Sequence, residues 1–253
     1  MLTIKPCVSG LAMFASLVLA GCTEPTTPGS NTTSDTQKGA FAVRPPAGDF
    51  VPESDNLYFP LVPGTTFHYE ARTKDGLETE DFIVTSDTKV ILGVTTRVVE
   101  DIVLLDGSVI EHTFDWFAQN RETGDVWYFG EDSREFDPVT GQLIGTAGSW
   151  QAGRKRAQAG IIMWGDPAAH VGETYSEEVA PGVAEDMARV VSLDARVRVP
   201  FRSFDGCLKT ENFTPLEPDF REEKYYCPGV GLVLGVAVTG GKERNELVSI
   251  TTP

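Results

Sequence analysis

Across 253 residues the chain carries 37 acidic side chains against 21 Lys and Arg, a formal charge of −16. A surplus of that size disfavours nucleic acid and anionic membrane surfaces as partners and leaves cations and cationic or neutral ligands open. Three histidines, His68, His112 and His170, share no metal-ligand spacing, and there is no G-x-S-x-G elbow, P-loop or dinucleotide glycine fingerprint, so zinc, familiar hydrolase and nucleotide chemistries lose support.

At the N-terminus Lys5 precedes an apolar, uncharged run, Cys7 to Ala20, that ends in Leu19-Ala20-Gly21-Cys22. A charged start, a short apolar core and small residues at the end make a secretory signal, residues 1–21, rather than a membrane span. The Leu-Ala-Gly-Cys ending resembles the lipobox of bacterial lipoproteins. That resemblance implies cleavage before Cys22 and acyl chains on it, which makes the membrane a partner through the lipid anchor. Losing Lys5 moves the formal charge from −16 to −17. The implied location is the cell envelope, and Thr rather than Asp at position 23 is compatible with outer-membrane sorting in a Gram-negative host. Thr23 to Gly39 has no Val, Ile, Leu, Met or aromatic residue, cannot bury a core, and is expected to be a disordered tether reaching roughly 20 Å. Ala40 to Asn56, with Pro45, Pro46 and Pro52, extends this linker over 22–56, although Phe41, Val43, Phe50 and Val51 are able to dock on the domain.

From Leu57 onward apolar residues are dense and short-ranged, with turn formers every eight to twelve positions, the mark of an all-β domain over 57–253. Within it, His112 to Gln119 and Val126 to Asp132 are aromatic and β-branched runs separated by Asn120-Arg121-Glu122-Thr123-Gly124-Asp125, which predicts a β-hairpin. A period of two puts Asp115, Phe117 and Gln119 on one face of the first strand, His112, Phe114, Trp116 and Ala118 on the other, and Trp127, Phe129 and Glu131 together on the second. Faces that mix large aromatics with carboxylates suit a concave, partly polar interior.

The chain also compares with itself. Gly64-Thr65-Thr66-Phe67-His68-Tyr69-Glu70 recurs as Gly172-Glu173-Thr174-Tyr175-Ser176-Glu177-Glu178, Asp81 to Val84 parallels Asp186 to Val190, and Asp115-Trp116-Phe117-Ala118 falls opposite Lys224-Tyr225-Tyr226-Cys227. The reading is two related antiparallel β-meander halves, 57–132 and 164–253, which pack or close into a barrel-like or sandwich domain because neither buries its sheet alone. Residues 133–163, broken by Gly145, Gly148, Gly153 and Gly160, read as a long inserted loop. Val183, Met187, Val190 and Val191 have helical spacing, but the repeat argues for a strand there. Cys207 and Cys227 are the thiols of the folded part, and in an exported domain on neighbouring meander strands they predict a disulfide.

Val199-Pro200-Phe201-Arg202-Ser203-Phe204-Asp205-Gly206-Cys207 and Tyr225-Tyr226-Cys227-Pro228-Gly229-Val230-Gly231-Leu232-Val233 look like the VPxGxF and YYxPGVGLV motifs of a family of uncharacterised exported bacterial lipoproteins. The resemblance covers nearly all of 57–253 and implies the curved antiparallel sheets of periplasmic lipid-binding lipoproteins, but no reaction. Arg202 stands where the motif usually has Gly, a strained position if the turn requires a positive φ.

The remaining chemistry is carboxylate: Asp115, Glu131, Asp132, Glu178, Glu185, Asp186, Glu217 and Glu222. The candidate ligand-binding residues are Asp115, Trp116, Gln119, Trp127, Glu131, Glu185, Glu222 and Lys224. They point first to non-catalytic binding of a small ligand or lipid in an aromatic and acidic cleft, with no cofactor and no dedicated metal ligands. The alternatives are a paired-carboxylate enzyme acting on an envelope saccharide or similar substrate, with Ca²⁺ as a possible aid, and an envelope assembly partner.

Overall fold

Leu77-Glu78-Thr79-Glu80-Asp81-Phe82-Ile83-Val84 shows how the wall of the domain is made: Glu78, Glu80, Phe82 and Val84 are buried and the residues between them are half-buried, the period-two pattern of a strand with one face against a core. The computed structural model describes residues 49–253. The expected signal peptide, the lipidation site Cys22 and most of the expected linker lie outside the described residues.

The strands are β1 (Phe50–Val51), β2 (Thr66–Arg72), β3 (Leu77–Ile91), β4 (Val94–Leu105), β5 (Ser108–Asn120), β6 (Val126–Phe136), β7 (Leu143–Gly145), β8 (Trp150–Gln151), β9 (Gln158–Met163), β10 (Thr174–Ser176), β11 (Glu178–Val179), β12 (Met187–Arg198), β13 (Ser203–Thr214), β14 (Glu217–Cys227), β15 (Gly231–Thr239) and β16 (Arg244–Thr251). All pairings are antiparallel. Their order is β10-β12-β13-β14-β15-β16-β2-β3-β4-β5-β6-β9-β11. Two runs of successive hairpins, β12 to β16 and β2 to β6, are therefore joined through the β16–β2 ladder.

One short segment brings the ends of this order together. Thr174–Ser176 pairs with β12, whereas Glu178–Val179, one residue later, pairs with β9. The chain changes partner at Glu177, and the amides of Glu177 and Glu178 both donate to the Asp186 carbonyl, at 2.8 and 3.1 Å. Gly160 on β9 permits the seam, because a Cβ there would lie 2.2 Å from the Glu177 carbonyl oxygen. The fold is thus all-β, a curved antiparallel sheet almost fully closed into a barrel, which leaves little unpaired edge.

The two sequence-related turns have matching bonds. Gly64 donates to Val84 O and Val84 to Thr65 O, at 2.7 and 2.9 Å; Gly172 donates to Val190 O and Val190 to Glu173 O, at 2.8 and 3.2 Å. The two glycines take φ of 87° and 86°, a conformation that needs no Cβ.

Two expectations are corrected, and the condition set for Arg202 is not met. Folded structure begins before residue 57: β1 runs beside the last residues of β5, Phe50 against Asn120 and Val51 against Gln119, and Phe50 meets Trp127 and Phe129 edge-on. Residues 133–163 are not a plain loop, since they end β6 and supply β7, β8 and β9, the last a wall strand. Arg202 carries no positive φ; its guanidinium lies 4.6 Å from the Phe204 ring centroid. The Cys207–Cys227 disulfide joins β13 to β14.

The interior is divided along its length. At one end lie the turns 91–94, 120–126 and 227–231, and residues 49–61 cover it: Phe59 packs edge-on against Phe82 and Phe117, and Asn56 donates to Gly124 O and Trp164 O. The core here is apolar, with Phe67, Phe82, Val84, Ile91, Val99 and Phe117 buried. Toward the other end, marked by the turns 72–77, 105–108, 214–217 and 239–244, the inward residues become acids and amides.

Candidate functional site

The polar band follows from strand register. Leu247, Tyr69, Glu80, Val103 and Glu111 are successive partners across β16, β2, β3, β4 and β5, and Val84, Val99, Asp115 and Glu131 are partners across β3 to β6. On the other side, Val190, Thr210, Lys224, Gly235, Asn245, Ala71 and Glu78 form a row from β12 to β3. Gly235 has a reason to be glycine, since a Cβ there would sit 2.5 Å from Glu222 Oε1. Among the described residues eight carboxylates are buried: Glu78, Glu80, Asp101, Asp115, Glu131, Glu177, Glu178 and Glu222. Lys224 is the buried cation that meets them, 3.6 Å from Glu222. Arg97, also buried, turns away to Ser86 O and Glu53.

The neutral donors of the band hold carboxylate oxygens. Tyr128 donates its hydroxyl to Asp115 Oδ1 at 2.5 Å, Asn245 Nδ2 to Glu80 Oε2 at 2.5 Å, Asn212 Nδ2 to Glu177 Oε2 at 2.8 Å and Trp150 Nε1 to Glu178 Oε1 at 3.2 Å. The second oxygens of Glu80, Asp115, Glu177 and Glu178, and one oxygen each of Asp101 and Glu131, are buried without a hydrogen-bond partner. An ionised carboxylate in that condition is costly, so burial raises the proton affinity of these acids. Burial pushes Glu80 up to about 8, with the Asn245 bond opposing and Glu111 adding to the rise. Burial likewise takes Asp115, Glu177 and the half-buried Glu111 to about 7. Asp101, Glu131 and Glu178 are driven well above the usual carboxylate range, by burial first and then by neighbouring carboxylates. Burial works to lower Lys224, but Glu222, Glu177, Asp186 and Glu178 outweigh it and hold the ammonium charged.

Four predicted residues, Asp115, Glu131, Glu222 and Lys224, lie in this band; the other four do not. Trp116 is under the Lys89 ammonium, 3.1 Å from its centroid. Gln119 exchanges two hydrogen bonds with Asp55, and Trp127 packs on Phe50. Glu185 accepts the Gly182 amide in an exposed turn. The expected grouping of Trp127, Phe129 and Glu131 on one face is corrected by a bulge: Asp115 pairs with Glu131 but Phe117 with Tyr128, so two partner positions on β5 span three on β6. Gly130 makes the bulge, with φ of 118° and an approach in which a Cβ would lie 2.3 Å from Trp150 O. A glycine inside a strand pattern was the available signal.

Glu78, Glu80, Asp101, Glu111, Glu177, Asn212 and Asn245 were not predicted. For Glu78 and Glu80 the signal was present, because they continue the buried face of Phe82 and Val84. A pocket lined by Ala71, Glu78, Thr79, Glu80, Val103 and Asn245 lies at the acidic end. The apolar end holds another, walled by Phe59, Leu61, Phe67, Phe82 and Leu232 among others. Among the described residues no group of three or more His, Cys, Asp or Glu is placed to hold a metal ion.

No protein-family model and no curated protein matches the chain. A crystal structure at 2.70 Å of a protein from Parabacteroides distasonis described as a lipoprotein is similar over 78% of this chain and 99% of that one, with 10% identity and a TM-score of 0.43. A likeness at that level bears on neither reaction nor ligand.

Proposed function

We propose that the chain is a lipid-anchored envelope protein that binds a small ligand, without catalysis, in the acidic half of its barrel. The anchor rests on the lipobox-like Leu19-Ala20-Gly21-Cys22. The binding reading rests on one observation: six buried carboxyl groups each keep an oxygen without a partner, where interiors ordinarily satisfy such atoms. A barrel needing only stability gains little from a band of this kind, since apolar residues of similar volume would serve as well. A small pocket beside Glu78 and Glu80 lies in the same half of the barrel.

Asp115 and Glu131, opposed across the β5–β6 ladder, are what favours the second reading, a paired-carboxylate enzyme. Neither lines the acidic-end pocket, so binding stands first.

The test is native mass spectrometry of the mature full chain released from detergent micelles, followed by thermal melts against a panel of cationic, neutral and anionic small molecules. A bound mass that vanishes on denaturation, or stabilisation by any member of the panel, is the expected result. Neither a bound mass nor a shift with any charge class would sink the reading.

A further inference from the structure

We propose that the turn Arg154-Lys155-Arg156 and the hairpin tip with Val90 and Leu92 form one patch that docks the barrel on an anionic phospholipid surface. This rests on the lipid-anchor reading above and says which face the anchored domain turns to its bilayer. The three cations are successive and exposed, and among the described residues none of them ion-pairs with an acid. A Cβ on Gly153 would collide with Leu92, so turn and hairpin tip are in contact. Val90 and Leu92 are 67% and 38% exposed there. In a chain dominated by acids, residues 85–97 and 152–157 hold Lys89, Arg97, Arg154, Lys155 and Arg156 against Asp87 alone. Two acids on neighbouring strands are already engaged, Glu53 by Arg97 and Asp132 by Arg134.

Backbone conformation sets the patch apart as well. Among the described residues Leu92, Asp106, Lys155 and Arg156 are the non-glycine residues with positive φ. Asp106 is the kind of residue a tight hairpin turn prefers, whereas a leucine and two long cations there cost stability, a cost that a plain solvent turn has no reason to carry. The chain from Cys22 joins the domain beside them. The Arg121 amide donates to Asp49 O at 2.7 Å, Phe50 meets Phe129 edge-on, and Phe129 O accepts the Ala152 amide at 2.9 Å, where the basic turn starts. The net charge of −16 repels an anionic surface, but charges beyond about 8 Å are screened at physiological salt, so the nearest patch governs the contact. Cations beside exposed Val and Leu suit headgroups lying over acyl chains, and the anchor raises the effective concentration enough for a weak contact to form.

The test puts an environment-sensitive dye on Val90→Cys, or on Leu143→Cys in the exposed strand paired with the far end of β6. The mature lipidated chain is reconstituted in vesicles of phosphatidylcholine with or without about one third phosphatidylglycerol. Expected is a blue shift for the dye at position 90 and not at 143, seen with phosphatidylglycerol and reversed at ~1 M salt, where the Debye length is ~3 Å. Each cation at an anionic surface is worth about fivefold, so Arg154→Gln, Lys155→Gln and Arg156→Gln together should weaken the docking equilibrium about a hundredfold and remove the shift. The salt arm needs no change in the turn, so a poorly folded triple variant does not shelter the proposal. Equal shifts at both positions, a shift that survives salt or the triple variant, or no shift with phosphatidylglycerol overturns it, the last leaving an acidic protein as the occupant. Flotation with the vesicles at ~1 M salt reads the anchor separately, since electrostatic contacts are then screened. A chain that floats without the shift sinks the docking face alone; a chain that does not float sinks the anchor reading and the docking face with it.

Discussion

Raising the pH from 5 to 8 should destabilise this protein, the reverse of ordinary acid lability. Glu80, Glu111, Asp115 and Glu177 have folded-state values pushed up to about 8, 7, 7 and 7. The folded state therefore holds protons that the unfolded chain has already released. Stability from such groups is fully present below the unfolded values near 4, and is lost as pH rises through the folded ones. At about 1.4 kcal/mol per pKa unit, Glu80 alone would account for roughly 4 kcal/mol between pH 5 and full ionisation. The carboxyls interact, so protons leave the band in steps that belong to the set and the individual figures do not add. A net loss of about 3 kcal/mol or more by pH 8 is expected, a large part of a typical folding free energy of ~5–15 kcal/mol. The assay is urea unfolding at pH 5, 6, 7 and 8, followed by the fluorescence of Trp116, Trp127, Trp150 and Trp164. With a slope of about 2–3 kcal/mol per molar, the midpoint should fall by ~1 M or more. A midpoint that is flat or rises over this range would refute the reasoning and mean that the band is ionised and hydrated in the folded state.

Lys224→Met should steepen that decline, because Lys224 lowers the proton affinity of Glu80, Glu177 and Glu222; the same urea series, compared at pH 5 and 8, reads the difference, and parallel profiles would contradict the placement of the ammonium. Gly130→Ala should cost about 2–4 kcal/mol through positive φ and collision with Trp150 O, whereas Gly182→Ala, with nothing near its Cβ, should cost about 1 kcal/mol; thermal melts of equal midpoint would dismiss the bulge. Replacing Cys207 and Cys227 together by Ala removes a crosslink spanning 20 positions and should cost about 3 kcal/mol in the chain-entropy model. A reductant that leaves the parent's unfolding midpoint unmoved would argue against that contribution.

Much of the architecture was legible in local pattern. Period-two alternation with frequent turn formers marked the strands, and Cys207 and Cys227 could be paired because successive meander strands are neighbours. The candidate site was legible only in part. Asp115 and Glu131 are legible because they sit in an aromatic hairpin, whereas a strict count of two puts Trp127 beside Glu131 and the Gly130 bulge interrupts that count. Glu78 and Glu80 look like a solvated strand start in sequence, although the same alternation carries them onto the buried face of Phe82 and Val84.

What the sequence by itself determined is therefore local: the all-β class, which residues alternate along each strand, and the crosslink. What only the tertiary structure decided is non-local. The β16–β2 ladder puts Asn245 in register with Ala71 beside Glu78, across more than 160 residues of chain. The partner change at Glu177 closes the wall and turns two successive glutamates toward one interior. Whether a carboxyl group is solvated or must keep its proton depends on what surrounds it on every side, and that is settled by the closure of the barrel rather than by any stretch of the chain.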